Sequence, residues 1–164
     1  MKKARIIAGL LCLLLGCTLT SCDEISPLKI IDWAPVELYM SVNDADGNNL
    51  LEGDINWLEG MSITFNGQTT ELDFSPMTRA YMPEFMGLRL MDSDAYGQKV
   101  LYYGELEGGR DYDNEEFVIS WPDGTQDVIT YSRKLNRRKG DATQSWSLNG
   151  TKLEGERICI ALHK

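Results

Sequence analysis

From Trp33 onward, apolar and polar positions alternate in short runs. In "WAPVELYMSV" Val36, Leu38, Met40 and Val42 fall on one face, and Glu37, Tyr39 and Ser41 on the other. A repeat of two predicts a strand with one buried face. "MSITFNG" and "QTTELDF" carry the same pattern on either side of Asn66-Gly67. A type I′ turn needs positive φ at both central positions, so Asn-Gly between alternating runs predicts a tight hairpin. A second Asn-Gly, at 149–150, lies within "TQSWSLNGTKL".

"KVLYYGEL" is apolar on both faces and predicts a central strand. "EFVISW" and "QDVITYS" flank Pro122-Asp123-Gly124-Thr125, a proline-led turn. "RICIAL" supplies a last strand-like run. The stretch "SPMTRAYMPEFMGLRLMDSDAYG" alternates poorly and is interrupted by Pro76, Pro83 and Gly87. It predicts a long irregular connection, with one strand or helical turn near Gly87 to Met91. Roughly eight or nine short strands separated by turns predict an all-β domain. The expected architecture is an antiparallel β-sandwich of immunoglobulin-like character, with a small lipocalin-like β-barrel as the alternative.

The start of the chain follows a different rule. Lys2, Lys3 and Arg5 precede an uncharged, leucine-rich run from Ile6 to Leu19. A membrane-spanning helix needs about 20 apolar residues, more than this run offers, whereas a signal-peptide core is shorter. Residues 1–21 are therefore expected to be a cleaved signal peptide, residues 22–31 a tether stiffened by Pro27, and residues 32–164 a single β-domain. Leu19-Thr20-Ser21-Cys22 resembles the lipobox of bacterial lipoproteins. That resemblance implies a diacylglyceryl group on the Cys22 thiol, cleavage before it and acylation of the new amine. One acyl chain holds a protein only marginally, so stable anchoring takes two or more.

With Cys12 and Cys17 in the removed segment, the mature chain keeps Cys22 and Cys159. A lipidated Cys22 leaves Cys159 without an intrachain partner, and "RICIAL" suggests a small packed residue. The net charge is −9 for the whole chain. Removing residues 1–21 takes away three of the 16 basic groups and none of the 25 acids, so it becomes −12. A chain this acidic repels nucleic acid. Membrane attachment is then expected through the lipid and not through the protein surface.

The strand runs, the "DADGNNLL" turn, the "RAYMPEFMGL" segment and the "W-x-D-G-T" hairpin together resemble small β-rich lipoproteins of Bacteroidetes-type bacteria. The resemblance implies a cell-envelope β-domain and carries no catalytic residue with it. Asp23-Glu24 after the cysteine resembles in part the signals that send such lipoproteins to the cell surface. The expected location is the outer membrane, facing the periplasm or the exterior.

Candidate chemistry is sparse. Aligning Gly47 of "NDADGNN" with the glycine of a calcium loop puts Val42 and Gly53 at the first and last ligand positions, where neither can coordinate. Asp44, Asp46 and Asn48 then read as turn residues. Asp111, Asp113, Glu115 and Glu116 are adjacent in a glycine-flanked loop. Paired glycosidase carboxylates must face each other across a cleft, so a solvated loop is expected instead. His163 is the only histidine, which excludes a His-bearing zinc set and leaves a nucleophile triad without its usual base.

Trp33, Trp57, Trp121 and Trp146 could stack on sugars if exposed, but indoles bury large areas and core packing is expected for each. "SRKLNRRKGD" is the one basic island, read as a solvated hairpin loop or a contact for an acidic partner. No cofactor, metal or enzymatic activity is expected. The functional expectation is a lipid-anchored, non-catalytic module for a glycan or protein ligand. The alternatives are a carrier of a small apolar ligand and, lower, a small hydrolase.

Overall fold

Alternation becomes structure in β1 (Val36–Asn43), where Val36, Leu38, Met40 and Val42 are buried and Glu37 and Tyr39 only half so, although Ser41, expected on the polar face, is buried as well. The computed structural model describes residues 31–75, 87–155 and 159–164. The signal segment, Cys22, the tether to residue 30 and most of the proline-interrupted connection lie outside the described residues.

β2 (Ser62–Phe65) and β3 (Gln68–Asp73) form the expected hairpin. Asn66 and Gly67 both take positive φ, 50° and 74°, as a type I′ turn requires. β4 (Gly87–Ser93) is a strand, and a turn at 94–97 leads to β5 (Gln98–Leu106). β5 is central as its two-faced apolarity predicts: it pairs with both β1 and β4 and buries Val100, Leu101, Tyr102 and Tyr103.

β6 (Tyr112–Ser120) and β7 (Gln126–Asn136) meet at the Pro122–Thr125 turn, where the Asp123 carboxylate accepts from the backbone and hydroxyl of Thr125. β8 (Asp141–Leu148) and β9 (Thr151–Leu153) follow, joined by Asn149-Gly150. β10 (Cys159–His163) completes the described strands.

The all-β class read from the chain is the class observed. Among the described residues, ten strands form one curled mixed sheet, a half-barrel, in the order β10-β1-β5-β4-β3-β2-β6-β7-β8-β9. Two pairings are parallel, and they set the architecture apart from two separate antiparallel sheets. β10 runs along β1, and β3 meets β4 through Leu72–Leu88 and Asp73–Arg89. The short β3–β4 ladder stitches the two halves into one sheet, and the Arg89–Asp73 ion pair at 2.9 Å lies across it.

Curling lets side chains from strands far apart in the order meet on the concave face. Tyr103 of β5 packs edge-on against Phe117 of β6 at 5.9 Å, and Phe117 stacks on Phe65 at 4.3 Å. Tyr131 of β7 lies 4.0 Å from Trp146 of β8. Aromatic pairs in such geometries add about 0.5–1.5 kcal/mol each beyond the area they bury. Two short 3-10 turns, Leu50–Glu52 and Asn56–Leu58, drop Leu51 and Leu58 into the same core.

Candidate binding cleft

The segment entering β1 runs against the β5–β6 connection with no room to spare. A β-carbon on Gly108 would lie 2.1 Å from the Ala34 carbonyl oxygen and 2.6 Å from that of Trp33. Only glycine permits this approach, so Gly108 positions residues 33–35. Beyond them, β10 pairs with β1 only from Tyr39 to Asn43. The side of Val36 to Leu38 away from β5 therefore has no strand on it among the described residues.

A cleft of about 300 Å³ opens there. Ala34 to Glu37 and Tyr39 contribute to its lining, together with Arg133 of β7 and Gln144 and Trp146 of β8. Ala95 and Tyr96 of the β4–β5 turn also line it. Such volumes lie at the small end of the range for ligand pockets, about 300–1,000 Å³.

Arg133 is the unusual member. It shares the inward register of Ile129, Tyr131 and Leu135 and is only 8% exposed. Its Nη1 donates to the Ala34 carbonyl at 3.4 Å, and its guanidinium lies 5.8 Å from the centre of the Trp33 ring. Its Nε is buried with no hydrogen-bond acceptor among the described residues. In register, Arg133 faces Gln144 and Tyr131 faces Trp146. The Tyr131 hydroxyl donates to Gln144 Oε1 at 3.0 Å. Burial pushes the Tyr131 phenol up to about 12, although the Arg133 charge opposes the shift.

On the β1–β5 side, Tyr39 lies 5.2 Å from both Tyr96 and Tyr102. Tyr102 donates to Glu37 Oε1 at 3.0 Å; burial, then the Glu37 charge, raises the Tyr102 phenol far above its ordinary value. The cleft thus combines aromatic rings, a carboxylate, an amide and a cation.

The positions singled out in the sequence have other fates. The Asp44 carboxylate accepts from the backbone of Asp46 and Asn48 and from the Asn48 amide, so it closes its own turn. Those bonds, Asn48 foremost, hold its carboxyl below the ordinary value. Asp111 pairs with Lys134 at 2.6 Å and accepts from Leu135 N, and Glu115 pairs with Arg110. The solvated loop expected here is not what forms: only Asp111 precedes β6, and Asp113, Glu115 and Glu116 lie on the strand itself. His163 is exposed on β10. Cys159 is half-buried, and burial raises its thiol, as suits a packed residue.

Trp121 and Trp146 are buried as expected, but Trp57 is 37% exposed and Trp33 half-buried. The expectation of core packing fails at Trp57 because its 3-10 turn lays the indole outside Trp121, stacked at 6.2 Å with the planes 19° apart. The basic island is not one loop: β7 runs through it to Asn136, so Arg133 turns inward while Lys134 stays exposed. Sequence reading misses Arg133 and Tyr96. For Arg133 the signal is available, since an arginine stands in phase with Ile129, Tyr131 and Leu135. For Tyr96, nothing local points to the cleft.

Comparison with protein-family models, with curated proteins and with solved structures returns no match, so the functional reading rests on these residues alone.

Proposed function

We propose that the protein is a lipoprotein of the outer membrane, held by lipid on Cys22, and that its β-domain is a non-catalytic binding module whose ligand sits in the cleft beside Arg133. One observation carries the binding reading. Aromatic rings, Glu37, Gln144 and a buried guanidinium with an unpaired Nε converge on one opening of ligand size. Surface sites that recognise glycans need planar rings together with donors and acceptors, and this cleft has all three. A carrier of an apolar ligand would need interior space, which Tyr103, Phe117 and Tyr131 fill. Glycan binding is therefore favoured.

Three measurements test the proposal. Cys22→Ala should move the protein from the membrane fraction to the soluble one; unchanged fractionation and mobility would remove the anchor. Glycan-array binding by the detergent-solubilised protein should be lost in Tyr96→Ala. Array binding that persists in that variant would put the ligand elsewhere. Protease shaving of intact cells reports the orientation: survival beside cleaved surface proteins means a periplasmic face.

A further inference from the structure

Resting on that glycan-binding reading, we infer that the cleft selects a sugar carrying a single carboxylate, a hexuronate-type residue, whose acid group is received by Arg133.

The argument begins with charge. A guanidinium taken out of water is costly unless a carboxylate and a full set of hydrogen bonds compensate it. Arg133 is 8% exposed and has no carboxylate within ion-pair distance among the described residues. Its partners compensate only in part, being neutral: the Tyr131 phenol, the ring of Trp33 at 5.8 Å and a bond of 3.4 Å to Ala34, longer than the usual 2.7–3.2 Å, with Nε left unpaired. A carboxylate entering beside Ala34 supplies the missing anion. Arg pairs with carboxylates through two parallel N–H bonds, the geometry its planar fork favours.

The rest of the lining matches a sugar ring. Tyr39, Tyr96 and Trp146 offer aromatic surface against which the apolar face of a pyranose can lie. Glu37 already accepts from Tyr102 through one oxygen and has acceptor capacity left for ligand hydroxyls. About 300 Å³ limits the occupant to a ring or two. An extended peptide added as a strand fits less well, because the open edge of β1 is only Val36 to Leu38 and Pro35, which has no N–H, precedes it. The net acidity, −12 once residues 1–21 are removed, works against polyanions, so one carboxylate is favoured over a phosphorylated or sulfated chain.

The test uses the full lipidated chain in detergent and two matched pairs of probes, methyl glucuronide against methyl glucoside and methyl galacturonide against methyl galactoside. Calorimetry should show one uronide bound about tenfold or more tightly than its neutral partner. Arg133→Gln should abolish that preference and Arg133→Lys should restore part of it, with circular dichroism confirming the fold of each. Tyr96→Ala should weaken both members of the pair alike. Equal affinity for acidic and neutral sugars, alongside array binding lost in Tyr96→Ala, overturns the carboxylate assignment but leaves the glycan module standing. Binding of an acidic peptide in place of every sugar overturns both.

Discussion

The indole Nε1 of Trp121 donates to Asp127 Oδ2 at 2.7 Å, across the turn that joins β6 to β7. The other Asp127 oxygen accepts from Asn149 Nδ2 at 2.7 Å, and Asn149 Oδ1 in turn accepts from Val128 N. One carboxylate therefore ties together the β6–β7 and β8–β9 turns. Asp127→Ala should cost about 1–3 kcal/mol in urea unfolding, because it strands the indole donor of a buried Trp121. A midpoint equal to wild type would mean the bonds are not kept in solution.

Gly108→Ala tests the close passage under residues 33–35. The added methyl cannot fit 2.1 Å from a carbonyl oxygen, so the segment must lift. Overpacking of this kind costs about 1–3 kcal/mol. The variant should also lose cleft binding while its far-ultraviolet circular dichroism stays native.

The tryptophans divide by burial. Trp146→Ala should cost about 3–5 kcal/mol, the range for a buried aromatic truncated in a core. Trp57 is 37% exposed and rests on the outer side of Trp121, so its replacement by Ala should cost clearly less than that of Trp146. Iodide should quench the fluorescence of Trp57 well before that of Trp121 and Trp146.

Acid stability follows from the turn carboxylates. Asp123 is lowered to about 2, first by the Thr125 side chain and then by its backbone N–H, with Lys164 adding to the shift. Asp44, Asp73 and Asp111 shift the same way through their own hydrogen bonds. Depressed folded values mean that these groups stabilise the fold above the ordinary value near 3.8, and that the contribution is lost as pH falls toward 2. Denaturation midpoints should hold steady above pH 4 and drop below it, less steeply in Asp123→Asn. Asp111 and Asp123 are exposed and Asp44 and Asp73 partly so, so the drop should be shallow and reduced by salt.

Alkaline titration reports the aromatic interior. Tyr102, Tyr103, Tyr112 and Tyr131 are all raised, chiefly by burial. Because folding favours their neutral form, stability is lost as pH rises above the ordinary value of 10. Ultraviolet titration should show these four phenols ionising after the remaining tyrosines, together with unfolding. A single transition centred near 10 would mean that they are solvated.

Strands were legible wherever one face meets water, as at Val36 to Val42, because alternation there is a local consequence of burial. Hairpins were legible where Asn-Gly supplied positive φ. The two parallel ladders were not, since β10 and β1 are separated by most of the domain and β3 meets β4 through two residue pairs only. No local signal encodes such pairings. The cleft was illegible for the same reason: Pro35, Tyr96 and Arg133 are distant in the chain and are brought together by the curl of the sheet. Arg133 was hidden inside a basic run, where composition suggested a loop and strand parity held the better information.

Gly108 packs against the backbone of Trp33 and Ala34, and Ala34 with the adjoining Pro35 forms part of the cleft lining. The chain thus enters its domain by way of the proposed binding cleft, and tension along the polypeptide before Asp32 reaches that lining before it reaches the core. Under the proposed anchoring at Cys22, force on the amino end and occupancy of the cleft become mechanically coupled quantities. A bound ligand bracing Ala34 against Arg133 would raise the force at which the first strand peels away.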